Sequence, residues 1–105
     1  MDVMLREKQS RFAVMAAKLI LRADELGYSV TLGDAYRDSR CDYGHPNSLH
    51  RRRLAIDLNL FRDGKFLQLT DDHLPLGMFW ESLGGSWGGR FSDGNHYSLE
   101  HKGMK

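Results

Sequence analysis

An alternating segment at residues 54–61 constrains the fold of this chain more than any other feature. Every second position is aliphatic: Leu54, Ile56, Leu58 and Leu60. A period of two is that of a β-strand, in which successive side chains point to opposite faces of the sheet. The aliphatic side chains therefore belong on a core. The carboxylate of Asp57 is predicted on the opposite face.

The elements around this strand predict a small α+β domain. Apolar residues at helical spacing predict a first helix over residues 5–27, ended by Gly27, and the β-rich residues 28–32 predict a short strand. The Asp63-Gly64 pair predicts a tight hairpin after the alternating strand. We therefore expect an α+β fold, with a small antiparallel sheet packed by about two helices.

A second helix is predicted over residues 73–83. Three residues before it are candidate N-caps: Thr70, Asp71 and Asp72. Pro75 fits only its first turn, and the Gly84-Gly85 pair is placed to end it. Its apolar side is expected to consist of Met78, Phe79 and Leu83. The glycine-rich and aromatic residues 86–101 then supply the final strand.

Charge and size exclude several classes of function. The 15 Lys and Arg residues nearly balance the 14 Asp and Glu residues, so the net charge of +1 predicts no nucleic-acid partner. The three arginines at residues 51–53 are more typical of a solvated turn. The longest apolar stretch, residues 12–21, is interrupted by Lys18 and is too short for membrane insertion. We expect a monomer with a single domain over residues 1–105.

Two of the five histidines combine with Asp57 into a candidate metal site. His50 precedes Asp57 by seven positions, and a loop residue entering the strand can place its imidazole over the face that carries the carboxylate. His96 adds a second imidazole from the tail. Two imidazoles and one carboxylate leave the fourth position of a tetrahedral zinc ion open for water, as in catalytic zinc sites.

Each of these residues also has a simpler interpretation. Asp57 can be a solvent-facing strand residue, and His96 a hydrogen-bonded histidine of the last strand. Arg37 can form a surface ion pair with Asp34 or Asp38, which would contribute little to stability. Spacing alone therefore does not decide between a metal site and an ordinary sheet face.

Three motifs, in order along the chain, resemble those of the M15 zinc peptidases. Tyr36-Arg37 is similar to the Tyr-Arg pair that places a cation in the sites of that family. Residues 48–57 read SLHRRRLAID and resemble the signature Ser-x-His-x-x-Gly-x-Ala-x-Asp. Residues 87–97 read WGGRFSDGNHY and resemble a Trp-Gly-Gly run followed by an acid-x-x-His element. The family comprises D-alanyl-D-alanine carboxypeptidases and peptidoglycan L-alanyl-D-glutamate endopeptidases, and it shares its fold with the hedgehog signalling domain.

The resemblance implies a role for each matching residue. The three ligands of one zinc ion correspond to His50, Asp57 and His96. Asp93 matches the general base, and Arg37 matches the cation that steadies the oxyanion or a substrate carboxylate. Ser48 matches the serine beside the first ligand. Arg53 stands where the signature has glycine, so this chain departs from the family pattern there.

The remaining aromatic and ionisable residues of the tail have two interpretations. Trp87 and Phe91 are candidates for the lining of a substrate groove, with Trp87 assigned to substrate binding, and the core is the alternative for both. Glu100 and His101 offer a rival acid and ligand, although neighbours on a strand face opposite sides. His73, like His45, is interpreted as a loop or cap residue.

The resemblance implies a zinc peptidase with the hedgehog/DD-peptidase fold that acts on the peptide part of peptidoglycan. The small size of the chain and Asp93 at the acid position are most similar to phage endolysins that cleave the L-alanyl–D-glutamate bond. A D,D-carboxypeptidase and a zinc-bearing binding domain without turnover are the alternatives. The N-terminus lacks the pattern of a secretory signal, which predicts a protein that stays in the cytoplasm until a holin lets it reach the wall.

Overall fold

The computed structural model of the protein describes residues 3–33 and 53–101. In these ranges the chain forms two α-helices, two short 3₁₀ helices and a five-stranded antiparallel sheet, which confirms the expected α+β class. The helices are α1 (Val3–Glu25) and α2 (Leu74–Ser82), and the 3₁₀ helices span Thr70–His73 and Gly88–Phe91. The strands are β1 (Ser29–Leu32), β2 (Ala55–Arg62), β3 (Lys65–Leu67), β4 (Ser86–Trp87) and β5 (His96–Ser98).

Strand β2, predicted from the alternating segment, is the centre of the sheet. It pairs with β1 on one edge, while its other edge pairs first with β5 and then with β3. The aliphatic side chains of the alternating segment are all buried, as the period of two predicts: Leu54, just before β2, and Ile56, Leu58 and Leu60 within it. Asp57 and Asn59 lie on the opposite face and are partly exposed. The core therefore occupies one face of β2, and the other face is left for a site.

Helix α1 covers the core face and ends as the sequence predicts. Its buried residues follow helical spacing: Phe12, Met15, Ala16, Leu19 and Ala23. Gly27 adopts a φ of +89°, which side chains rarely tolerate, and the next residue, Tyr28, donates its N–H to the Ala23 carbonyl at 3.0 Å. This is the hydrogen bond of a Schellman cap, which closes a helix and turns the chain into the following strand.

The predicted hairpin joins β2 to β3 through two residues. Asp63 and Gly64 have φ angles of 54° and 77°, and Arg62 pairs with Lys65 across the turn. Two left-handed residues in a two-residue loop define a type I′ turn, whose twist matches that of the flanking strands. The Asp-Gly pair predicted this turn correctly.

The second helix differs from its prediction in how it begins. The 3₁₀ turn Thr70–His73 precedes α2, and its cap is the backbone of Leu69, whose N–H donates to Oδ2 of Asp72 at 3.0 Å. Asp72 therefore caps from inside the turn, and the N-cap prediction was wrong for all three candidates, because the N-cap of α2 is His73. The prediction did not foresee this extra turn. The turn places Pro75 early in α2, and no side chain makes a capping hydrogen bond at the start of α2.

The apolar side of α2 was predicted correctly only in part, since Phe79 and Leu83 are partly buried against the core. Its buried residues are Leu76, Gly77 and Trp80, whereas Met78 is 55 % exposed. Trp80 is fully buried, and its Nε1–H donates to the Ser98 carbonyl at 2.9 Å. The indole satisfies its polar atom inside the core, so the largest side chain of the helix faces inward.

Neither helix in the described part of the chain combines the length and the apolar character that crossing a bilayer requires.

Candidate active site

Asp57 and His96 lie directly opposite each other on β2 and β5. The next pair along the ladder is hydrogen bonded, because the Leu58 N–H donates to the Asn95 carbonyl at 3.0 Å. Asp57 and His96 therefore form a non-hydrogen-bonded pair, the type whose side chains approach most closely in an antiparallel sheet. The register of β5 on β2 thus brings together two expected ligands that are 39 positions apart in the sequence.

The spacing of this pair fits two ligands of one metal ion. The Nδ1 atom of His96 lies 3.3 Å from Oδ1 of Asp57, and the side chains are only 11 % and 17 % exposed. A hydrogen bond between a charged histidine and a carboxylate is ordinarily about 2.7–2.9 Å long. Two zinc ligands at about 2.0–2.1 Å in tetrahedral geometry stand about 3.3 Å apart. The pair has the donor types and the separation that zinc requires.

The structure describes only part of the expected site. Three expected residues fall outside the described residues: Arg37, Ser48 and His50. The described chain stops at Gly33, whose N–H donates to the Asp57 carbonyl at 2.7 Å, and it resumes at Arg53, four residues before Asp57. Of these two ends, Gly33 contacts Asp57 directly through its backbone. Within residues 3–33 and 53–101 no third histidine, cysteine or acid joins the pair in a metal-binding group.

Asp93, the expected general base, is held in a short turn beside His96. Its N–H donates to the Gly88 carbonyl at 2.9 Å, and its own carbonyl accepts the His96 N–H at 3.1 Å. The side chain is exposed to solvent. Gly88 permits this close approach, since a Cβ there would lie 2.8 Å from the Cβ of His96. The backbone thus fixes an exposed carboxylate within one turn of an expected metal ligand.

Phe91 adds an exposed aromatic ring next to His96. The two ring centroids are 6.4 Å apart, and the Phe91 side chain is 52 % exposed. The short helix that carries it is anchored by Arg90, whose guanidinium makes two hydrogen bonds to Glu81 at 2.8 and 2.6 Å. This ion pair lowers the pKa of the Glu81 carboxyl, chiefly through the hydrogen bond from Arg90. Phe91 is therefore an exposed ring beside an expected metal ligand.

The comparison with known families found a matching family model. The M15 peptidase family model described as D-alanyl-D-alanine carboxypeptidase matches residues 41–99, which are 59 of the 105 residues. The chain belongs to the M15 peptidase family. It is therefore a hydrolase of peptide bonds at the level of the family. No curated protein matches the chain.

Trp87 of this M15 peptidase does not line a groove. Its side chain is 3 % exposed, and its Nε1–H donates to the Gly94 carbonyl at 2.7 Å. The ring lies against Gly77 of α2 so closely that a Cβ on Gly77 would collide with it. The predicted contact of Trp87 with substrate was therefore wrong, because the indole is enclosed by the core. From the core side, the indole supports the turn that carries Asp93.

Sequence reasoning missed a buried polar pair behind the site of this M15 peptidase. His73 is 3 % exposed, and its Nδ1 lies 2.7 Å from the hydroxyl oxygen of the fully buried Tyr97. Burial lowers the pKa of His73, against a smaller opposing effect of Asp72, and burial raises the pKa of Tyr97. The interpretation of His73 as a loop or cap residue was incomplete. It begins α2, and it also ties that helix to β5.

The rival acid and ligand of this M15 peptidase lie elsewhere. The Lys8 ammonium donates to the Glu100 carbonyl at 2.7 Å and lies 3.3 Å from Nδ1 of His101. This contact fastens the end of the described chain to α1. In the described part of the chain, neither Glu100 nor His101 joins Asp57 and His96 in a metal-binding group.

Proposed function

We propose that this M15 peptidase is a zinc-dependent endopeptidase that cleaves the L-alanyl–D-glutamate bond in the peptide part of peptidoglycan. The observation that supports this most directly is the pairing of Asp57 with His96 at a ligand spacing of 3.3 Å on the solvent side of the sheet. The match to the family model, over residues 41–99, includes both of these residues and the expected third ligand, His50.

The proposed site needs one zinc ion held by His50, Asp57 and His96. Zinc bound there would polarise the scissile carbonyl and make a water molecule more acidic near neutral pH. The exposed carboxylate of Asp93 takes the proton of the attacking water and gives a proton to the departing amine. The guanidinium of Arg37 shares the negative charge that develops on the carbonyl oxygen, with Ser48 beside the first ligand in contact with substrate.

The same proposal assigns a place of action. In this proposal the protein is an endolysin. It accumulates in the cytoplasm and reaches its peptidoglycan substrate after a holin permeabilises the membrane. It acts as a monomer without nucleic-acid partners. In this proposal the exposed ring of Phe91, beside His96, is available for contact with the substrate.

Digestion of purified peptidoglycan tests the proposal. The zinc-loaded protein should release fragments with a new amino terminus on D-glutamate, identified by mass spectrometry. A chelator should abolish the reaction, and added zinc should restore it. Cleavage that a chelator leaves unchanged would overturn the role of zinc.

The second candidate function is a D,D-carboxypeptidase, which the description of the matching family model favours. The same digestion distinguishes the two, because a carboxypeptidase releases free D-alanine and leaves the L-alanyl–D-glutamate bond intact.

A further inference from the structure

A cleft of about 270 Å³ lies beside the candidate active site, where β2 changes partner from β5 to β3. Strand β2 contributes Leu58 and Asn59 to its lining. The chain that leaves β3, residues 66–70, lines one side, and the turn at residues 92–95 lines the other. Because Asp93 of that turn is the expected general base, the cleft adjoins the proposed reaction centre.

Phe66 supplies an exposed aromatic ring to the lining of this cleft. Its side chain is 49 % exposed, and its ring stacks on that of Phe61, with centroids 5.2 Å apart and ring planes inclined by 29°. Phe61 lies opposite Phe66 on β2, on the face of the strand that carries Asp57. The ring of Phe61 supports Phe66 from one side, so an aromatic surface is held in place beside the cleft.

The polar groups around this ring are neutral carboxamides that both donate and accept hydrogen bonds. They belong to Asn59, Gln68 and Asn95. Nδ2 of Asn59 donates to the hydroxyl of Thr31 at 3.2 Å, which fixes the orientation of that carboxamide. Hydroxyl and acetamido groups of a sugar match such partners, while the C–H bonds of a sugar ring pack against the negative face of an aromatic ring. The lining therefore has the chemistry that recognises an N-acetylated sugar.

The position of the cleft along β2 fits the sugar that carries the stem peptide. In peptidoglycan this sugar is joined through a lactyl group to the L-alanine that precedes the proposed scissile bond. The lactyl group and one residue together span about 7 Å, at ~3.5 Å each. Along β2, Asn59 lies about 7 Å and Phe61 about 13 Å from Asp57, at ~3.3 Å per residue. The sugar therefore falls between Asn59 and the aromatic pair.

We propose that this cleft binds the N-acetylated sugar to which the stem peptide is attached, with the sugar ring packed on Phe66. The inference rests on the proposed function, because this sugar is near the reaction centre only when the bond after L-alanine is cleaved. A volume of about 270 Å³ is just below the ~300–1,000 Å³ of pockets for drug-sized ligands and suits one sugar ring. Asp93 acts on the scissile bond itself, and the D-glutamate side of that bond lies outside this cleft.

Two peptides that differ only in the sugar test this inference on the zinc-loaded wild-type chain. Both contain the L-alanyl–D-glutamate bond, and the L-alanine carries N-acetylmuramic acid in one and D-lactic acid alone in the other. We expect kcat/KM to be about tenfold higher for the muramyl peptide. Equal values for the two peptides would overturn the inference while leaving the endopeptidase activity established.

Phe66→Ala should abolish this preference. The variant lacks the ring, so we expect kcat/KM for the muramyl peptide to fall about tenfold, to the value for the lactyl peptide. Phe66→Tyr keeps an aromatic surface and should retain the preference. Phe66 also pairs with Phe61 across the hairpin, and a loss of folded protein would lower both rates together, so the ratio of the two substrates reports on the sugar alone. A preference that survives Phe66→Ala would refute the placement of the sugar.

Phe91→Ala is the matched control. It removes a ring of similar exposure, 52 % against 49 %, which lies beside His96 and not in the lining of the cleft. Whatever its effect on the rates, it should leave the ratio of the two peptides unchanged. A ratio that falls in Phe91→Ala and not in Phe66→Ala would place the sugar at the other ring and overturn the inference.

Failure of the proposed function gives a different result. A zinc-loaded protein that cleaves neither peptide overturns the endopeptidase activity, and sugar binding is then measured directly by NMR. N-acetylmuramyl-L-alanine should shift the ring signals of Phe66, whereas D-lactyl-L-alanine should not. No shift, or the same shift with both compounds, would overturn this inference as well.

Discussion

Asp57 and Asp93 are both carboxylates, yet their surroundings suit them to different work. Asp57 is 17 % exposed and lies against an imidazole on the neighbouring strand. Asp93 is exposed on a turn whose backbone is fixed by hydrogen bonds to Gly88 and His96. A metal ligand must be held in one place, whereas a carboxylate that transfers protons must meet water and substrate.

Asp93→Asn should separate these two roles. The amide keeps the size of the side chain but removes its basicity, so we expect peptidoglycan digestion to fall about 10²- to 10⁴-fold. Zinc content, measured by elemental analysis, should stay at one ion per chain. Asp57→Asn is the matched control and should lose zinc as well as activity. Digestion by Asp93→Asn at the wild-type rate would eliminate Asp93 as the general base.

At the scale of the elements, α2 and the turn at residues 92–95 are joined through buried aromatic side chains. Trp87 packs on Gly77 of α2 and holds the turn by its bond to Gly94. Gly94 is itself enclosed, since a Cβ there would lie 2.6 Å from the Cα of Thr70. The helix therefore contributes to the position of Asp93 although none of its residues reaches the proposed site.

Gly77→Ala should destabilise the fold because the new methyl group collides with the Trp87 ring. Overpacking of this kind costs about 1–3 kcal/mol, which urea denaturation would measure as a lower free energy of unfolding. Met78→Ala, at the neighbouring exposed position of the same helix, should change stability far less. Equal effects of the two substitutions would contradict the packing described for Trp87.

The pair of His73 and Tyr97 should make stability depend on pH. Burial lowers the pKa of His73 in the folded state below its ordinary value of 6.5, so the unfolded chain binds the proton more readily. The neutral, buried imidazole of His73 therefore contributes fully to the free energy of unfolding above about pH 6.5. This contribution is lost as the pH falls from 6.5 through the lowered pKa of His73. The opposing influence of Asp72 is the smaller one.

Urea denaturation of the wild type and of His73→Gln across pH 4–8 tests whether stability falls on acidification as predicted. The variant removes the imidazole that packs against Tyr97, so it should be less stable at pH 8. Its stability should decline less than that of the wild type on acidification. A steeper decline in the variant would show that His73 is not the group that titrates.

The elements that follow local rules were predictable, and the contacts between distant elements were not. Periodicity placed Asp57 on the face away from the core, and Asp-Gly predicted the hairpin turn. The pairing of Asp57 with His96 depends on the register of β5, which no local pattern encodes. For the same reason the sequence left the burial of Trp87 as an alternative and did not predict that of His73, because each depends on what α2 packs against.

At the scale of the whole molecule, the proposed site and the core share one strand. The aliphatic face of β2 is buried against α1 and α2, and the opposite face carries Asp57. A ligand that binds only the folded state stabilises the entire fold by mass action. Metal binding at this pair should therefore be visible in global unfolding.

Zinc should raise the melting temperature of the protein. At a free concentration about 100 times its Kd the ion adds about 2.7 kcal/mol, which corresponds to a shift of about 10 °C in a domain of this size. His96→Ala should remove the shift, measured by calorimetry, whereas His101→Ala should retain it. Loss of the shift in His101→Ala alone would move the metal to the rival residues.

The central position of β2 determines how the protein loses its activity on heating. Edge strands and helix ends can open without disturbing the middle of a sheet, so fraying at the periphery leaves the Asp57 carboxylate in register with its imidazole partner. Heat should thus spare the activity until the sheet itself comes apart, and it should then abolish both within the same few degrees. Each molecule of this protein would then be either folded and fully active or unfolded and inactive, with no partly active form between.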